Sequence, residues 1–230
     1  MTDPIIEIRN LRKVFKIGEV DVEALRGVNL DVPRGQFLAV VGPSGSGKST
    51  MFNILGGLAK PTSGSVSIDG KDLSHMTDNE RNDLRKKFVG FVFQKYNLLP
   101  TLTARDNIEI ARAIAKLDTP NNDPWFDEAL EMLGVAKRLD HKPRALSGGE
   151  QQRIAIARAI VNHPSILLAD EPTGNLDTKN SDAVLNLLRE LNRRKGQTIL
   201  MITHNPEAAE FADRIVHMRD GEIVENPSAH

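Results

Sequence analysis

The chain has 230 residues, 30 Lys plus Arg against 31 Asp plus Glu, a net charge of −1, no cysteine and 4% aromatics. This balance leaves no global basic field for nucleic-acid binding, and the lack of cysteine excludes a disulfide framework and Cys-ligated zinc. At roughly 100–200 residues per domain, the length suits one large domain or two small ones with a substantial core.

The start, MTDPIIEIRN, lacks a basic segment followed by an apolar one, so no secretory leader is expected. The strongest apolar runs, Phe37 to Val41 and Ile166 to Ala169, fall far short of the ~20 residues that span a bilayer. The expectation is a soluble, cytoplasmic chain, with any membrane-spanning part supplied by another polypeptide.

In chain order, Ile6-Glu7-Ile8-Arg9 and Val28 to Val32 alternate apolar and polar like half-buried strands, and Pro33-Arg34-Gly35 turns the chain. Phe37 to Val41 is continuously apolar, as in a strand buried on both faces. Val66 to Ile68 before Asp69-Gly70 reads as a hairpin, and Phe88 to Phe93 as a strand. From Thr103 to about Val161 the patterning is almost wholly helical. Asp123-Pro124 offers a cap and a first-turn proline, and Ala129, Leu130 and Leu133 recur at helical spacing until Gly134. Ile166 to Ala169 and Ile199 to Ile202 repeat the buried-strand pattern between helices, which predicts a parallel α/β sheet. The fold expected is α/β, with an N-terminal antiparallel part and a helical insertion.

Directly after the buried strand comes GPSGSGKS, Gly42 to Ser49, then Thr50 and a helix bearing Met51, Phe52, Ile54 and Leu55. Gly42, Gly45 and Gly47, with Pro43, Ser44 and Ser46 between them, let backbone amides curl around phosphate oxygens at a helix N-terminus. Lys48 reaches the β- and γ-phosphates and the Ser49 hydroxyl ligates Mg²⁺ in such a loop. Strand, loop and helix stand in the required order, so this is read as a nucleoside triphosphate site.

Hydrolysis also needs a metal ligand and a group that orients water. Ile166 to Ala169 runs into Asp170-Glu171, two carboxylates at the C-terminal end of a buried strand, where open α/β sheets gather ligands. Asp170 suits Mg²⁺ and Glu171 suits the attacking water. Gln94 follows the Phe88 to Phe93 strand, Asp177 lies in the loop after the carboxylates, and His204 follows Ile199 to Thr203. Asn205-Pro206 behind His204 reads as a helix cap.

Leu146 to Arg153 reads LSGGEQQR. Ser147 and Glu150 have capping-box spacing, but Gly148 and Gly149 are poor helix residues, at about 1 kcal/mol each, and suggest close approach to a ligand. A second glycine-rich helix start with bare amides is a second anion site in a chain with one cradle. A head-to-tail dimer uses both, with Ser147 and Gly149 of each copy meeting the γ-phosphate held by the other.

Taken together, Gly42 to Thr50, Gln94, LSGGEQQR, LLADEPTGNLD and His204 resemble the nucleotide-binding subunit of an ATP-binding cassette (ABC) transporter, in the family's order and across essentially the whole chain. The resemblance implies a P-loop NTPase core, 1–94 and 162–230, with a helical subdomain at about 95–161. It implies ATP and Mg²⁺ as cofactors and a dimer that closes over two ATP molecules and opens after hydrolysis. By the same resemblance Gln94 senses and ligates Mg²⁺, Glu171 is the general base, His204 contacts the γ-phosphate, and Asp177 lies at the dimer seam. Phe15, in LRKVFKIGEV, is the matching candidate to stack on adenine.

FQKYNLLPTLTARDNI and ADEPTGNLD further resemble the subgroup serving macrolide export and lipoprotein release. The resemblance implies that an integral membrane permease docks near Gln94 to Thr103, with Tyr96, Leu98 and Leu99 as apolar candidates. It places the chain on the cytoplasmic face of the inner membrane. Two other outputs share the ATPase motifs: regulation of a cell-division or cell-wall complex, and a soluble ATPase acting on nucleic acid.

Overall fold

In the computed structural model the described residues are 4–116 and 123–224; the remainder of the expected core and insertion lies outside them. The N-terminal strands β1 (Pro4–Ile17) and β2 (Val20–Pro33) pair antiparallel along their length and are longer than the alternation alone marked. The strand β3 (Phe37–Val41) leads into α1 (Lys48–Leu55), and β4 (Ser63–Ile68) turns back into β5 (Lys71–Asp72). That hairpin turns on Asp69 and Gly70, both with positive φ, the two-residue turn that suits strand twist. Together β2-β1-β4-β5 make a four-stranded antiparallel sheet.

Next come α2 (Asp78–Phe88) and β6 (Val89–Phe93). Phe88 thus closes a helix, not a strand. The sequence reading missed α2 because only Arg81 and Leu84 are buried on it, so it has almost no apolar stripe. Its legible signal was the capping box, in which Thr77 caps the Glu80 amide and the Glu80 carboxylate accepts from the Thr77 amide. The helical stretch follows as α3 (Ala104–Ala115), α4 (Pro124–Met132), two 3₁₀ turns and α5 (Gly148–Ile160). After these stand β7 (Ile166–Asp170), α6 (Thr178–Lys195), β8 (Thr198–Thr203), α7 (Pro206–Ala209), β9 (Arg214–Arg219) and β10 (Glu222–Val224).

The second sheet runs β10-β9-β3-β8-β7-β6, with every neighbouring pair parallel except the edge strand β10. Its side chains alternate between two cores. Phe37, Ala39, Leu167, Ala169, Ile199 and Met201 face the helices α3 to α6, whereas Leu38, Val40, Ile166, Leu168, Leu200 and Ile202 face α1 and the antiparallel sheet. The continuous apolar runs are therefore strands buried on both faces, as expected. The helical stretch shares the first of these cores with the sheet.

Because the strands are parallel, Val41, Phe93, Asp170 and Thr203 end along one edge of the sheet. On α4, Trp125 packs against His163 with ring centroids 4.5 Å apart, and the Lys195 ammonium lies 5.5 Å from the Trp125 ring centre. His163 Nε2 meets the Asp123 carboxylate at 2.6 Å, tying the cap of α4 to the turn before β7.

Candidate active site

The loop between β3 and α1 opens onto a cavity of about 650 Å³, within the roughly 300–1,000 Å³ of small-molecule sites. Gly47 ends the loop with φ of 101°, and a Cβ there would lie 2.6 Å from the Ala24 carbonyl oxygen, so only glycine fits. No side chain caps α1 and its first turn holds no acidic residue, which leaves its amides and positive dipole end to a ligand. Lys48 is nearly buried. Its ammonium donates to the carbonyls of Gly42 at 2.7 Å and Pro43 at 2.8 Å. Burial pushes its pKa down, while Glu171 and Asp170 act in the opposite direction.

Asp170 and Glu171 enter the same cavity from the end of β7. Burial pushes the Asp170 carboxyl above its ordinary value, Glu171 adds to the rise, and Lys48 opposes it. Glu171 sits in the left-handed region, φ 46°, an uncommon conformation for this residue. Three contacts hold it there. The Thr203 hydroxyl donates to one carboxylate oxygen at 2.9 Å, and the other accepts the His204 amide at 2.8 Å and meets His204 Nδ1 at 2.7 Å. A water placed above the carboxylate would thus face an acceptor whose orientation is fixed from β8.

Of the residues singled out from the sequence, Pro43, Ser44, Gly45, Gly47, Lys48, Ser49, Thr50, Asp170, Glu171 and His204 line this one cavity. Gly42 and Ser46 shape the loop behind it, Gly42 through its carbonyl to Lys48 and Ser46 as a buried side chain. Ala24 of β2 also lines it, a residue with no motif to mark it.

The others stand elsewhere. Phe15 is 41% exposed and pairs with Val22 across the hairpin, with the Lys13 ammonium 5.0 Å from its ring centre. The Gln94 side chain donates to Asn175 Oδ1 at 3.3 Å, and Asn175 returns a bond to the Gln94 carbonyl at 3.0 Å. Asp177 caps α6 through the Asn180 amide, a bond that holds its carboxyl below the ordinary range.

At α5 the expectation of bare amides needs correction. Ser147 Oγ accepts the Glu150 amide at 3.3 Å, and the Glu150 carboxylate accepts the Ser147 amide at 2.8 Å, a complete capping box. Only the Gly148 and Gly149 amides stand outside it. Both glycines also meet side chains of this same chain: a Cβ on Gly148 would lie 2.7 Å from the Tyr96 hydroxyl, and one on Gly149 would lie 2.5 Å from Asn180 Oδ1.

Sequence reasoning missed the residues that brace the loop after β6. Asn107, fully buried, accepts the Leu99 amide and donates to the carbonyls of Leu99 and Thr103. Arg158 donates to the carbonyls of Tyr96 and Asn97. An Asn and an Arg on amphipathic helices carry no motif, so nothing in the sequence set them apart. Tyr96 and Leu98 are largely packed within the chain, and Leu99 remains 42% exposed.

Residues 25–174 match the family model described as ABC transporter. The chain is 46% identical over 220 residues to the uncharacterized ABC transporter ATP-binding protein YknY of Bacillus subtilis, covering 96% of this chain and 95% of that protein. It is 46% identical to the macrolide export ATP-binding/permease protein MacB of Syntrophobacter fumaroxidans over 95% of its own length, but spans only 31% of that protein. Its structure is similar to the dimeric post-hydrolysis state of the ATP-binding cassette MJ0796, bound to ADP and Pi, from Methanocaldococcus jannaschii. That likeness has a TM-score of 0.84 at 42% identity and covers 96% of this chain and 97% of the other.

Proposed function

The chain belongs to the ABC transporter family, and from that premise we propose that it is an ATP-hydrolysing cassette working as a head-to-tail pair to drive a separate membrane subunit. One observation carries the reading. The phosphate loop, the two carboxylates and His204 share a cavity, while Ser147, Gly148 and Gly149 of the same chain lie outside it. A second copy brings its α5 to that cavity. The dimeric state of the similar MJ0796 cassette supports this arrangement.

In this mechanism the α1 amides and Lys48 hold the triphosphate, Lys48 leaving the Gly42 and Pro43 carbonyls for the phosphate oxygens. Glu171, aimed by Thr203 and His204, accepts a proton from the water whose oxygen attacks the γ-phosphorus. The bond from that phosphorus to the β–γ bridging oxygen breaks, and ADP leaves. His204 contacts the γ-phosphate, and Asp177 lies at the seam. Phe15 stacks on adenine once Lys13 shares or vacates its ring face.

The residues fit Mg²⁺. Ser49 and Asp170 offer hard oxygen donors within one cavity, and Asp170 and Glu171 are a partly buried pair of carboxylates that a cation relieves. Among the described residues no group of three or more His, Asp or Glu forms a metal cluster, so a bound metal would depend on phosphate oxygens and water for the rest of its shell. Bound there, the metal supplies charge neutralisation on the β- and γ-phosphates. Gln94, whose side chain donates to Asn175, would be a further ligand on leaving that bond.

We assign 1–94 and 162–230 to the ATP-binding core and about 95–161 to the helical subdomain. The permease docks near Gln94 to Thr103, where exposed Leu99 stands close in sequence to a groove of about 290 Å³ lined by Phe91, Phe93 and Ile114. Among the described residues no helix is long and apolar enough to cross a membrane, so attachment to the cytoplasmic face runs through that partner. The permease named within the MacB relative supports an exporter-type output.

The test is Glu171→Gln. Hydrolysis is expected to fall at least ~10²-fold while ATP binding survives and ATP-dependent dimers accumulate in sedimentation. Undiminished turnover in this variant removes Glu171 from its role.

A further inference from the structure

Gln152, on the second turn of α5, is fully buried. Its side-chain amide donates to two carbonyls, that of Phe93 at 3.2 Å and that of Pro172 at 2.5 Å. Phe93 immediately precedes Gln94, and Pro172 immediately follows Glu171. A single NH₂ group thus ties together the backbone beside Gln94 and Glu171, the metal-ligand and general-base residues of the proposed reaction. The amide orientation is fixed by its neighbours, since a flipped side chain would set oxygen against two carbonyl oxygens.

The remaining oxygen, Oε1, is buried and has no protein partner. An apolar side chain of this volume would spare the buried Oε1 but would take the donor from both carbonyls, so the reason for the glutamine beyond packing is the tie between them. The rest of α5 sharpens that reason. Its Gly148 lies against Tyr96, and its Arg158 donates to Tyr96 and Asn97, so the helix holds the Gln94 loop on the far side as well. Among these contacts only Gln152 also reaches the Glu171 side.

We propose that Gln152 is a positioning residue for hydrolysis. It locks the Gln94 and Glu171 backbones to the helix whose N-terminus meets the partner's nucleotide, so that seating of α5 across the dimer sets the hydrolytic groups of its own chain. This rests on the reading of the chain as a dimeric ATPase.

Two purified full-length variants test it. Gln152→Met keeps the volume and removes the donors. The turnover number is expected to fall about 10- to 100-fold, the scale of a displacement near 1 Å, with KM for ATP and affinity for a fluorescent ATP analogue within about twofold. Gln152→Glu keeps the shape but points an acceptor at two carbonyls until it is protonated. Its turnover relative to the native chain is expected to recover as pH falls, a profile that a merely packing role does not produce. If Gln152→Met fails to fold, the pH profile of Gln152→Glu decides alone. Native-like turnover in Gln152→Met, or a Gln152→Glu profile parallel to that of the native chain, overturns the proposal. A native chain that binds and hydrolyses no ATP overturns the ATPase reading beneath it, which separates the two failures.

Discussion

Two glycine-rich helix starts look alike in the sequence and differ in the structure. The N-terminus of α1 follows an uncapped Gly47 in a left-handed conformation, with no acidic residue in its first turn. The N-terminus of α5 is closed by Ser147 and Glu150 acting on each other's amides. The first lacks a partner for its positive end and sits in a cavity. The second is half closed, its Gly148 and Gly149 amides standing outside the box, and its glycines also make room for Tyr96 and Asn180. Glycine before a helix therefore has two uses here, freeing backbone for a ligand and thinning a helix so that its own chain can approach.

The largest expected effect lies at the open end. Lys48→Ala removes the cation that balances Asp170 and Glu171 and grips the triphosphate. Loss of about 2–5 kcal/mol of binding is expected, read as at least a thirtyfold rise in Kd by titration calorimetry. Retained affinity would mean that the amides of α1 suffice, which would widen the contrast with α5.

A smaller effect belongs to the closed end. Ser147→Ala is expected to cost about 1 kcal/mol of stability as a lost cap, lowering Tm with no nucleotide present. No change in Tm would show that the box is idle in the free chain, and the two helix starts would then be closer in kind than they look.

The smallest effect, opposite in sign at the two ends, is with pH. The Glu150 carboxyl is held below its ordinary value, chiefly by the Ser147 amide, so its contribution is present at neutral pH and fades as pH falls through the depressed value. Asp170 is pushed above its ordinary value by burial, so its contribution is present in acid and fades as pH rises through the raised value. Thermal melting at mildly alkaline pH should accordingly show Asp170→Asn raising Tm and Glu150→Gln lowering it. Shifts of the same sign would erase the electrostatic difference between the two sites.

Much of this was legible in the chain because the physics is local. The apolar runs at β3, β7 and β8 needed no tertiary knowledge to be read as doubly buried, and strand, glycine loop and helix followed one another in sequence. The carboxylates and His204 fell at strand ends, which a parallel sheet brings to one edge. What escaped was set by approach between distant segments. The polar helix α2 has too small a buried face to show a period, and the amides of Gln152 and Asn107 take their importance from carbonyls that only folding brings near. Of the bare amides expected at α5, those of Ser147 and Glu150 are taken instead, because the capping box and the ligand reading use neighbouring residues.

The chain has one tryptophan, and it is Trp125, set between His163 and Lys195 where α4 meets the turn before β7 and the end of α6. Its emission therefore reports on a single seam, at the opposite end of β7 from the carboxylates. A neighbouring imidazole quenches an indole, so the signal senses separation of the helices at that contact. Nucleotide-driven movement of the insertion would register there without an added label, at a place where no nucleotide touches the dye.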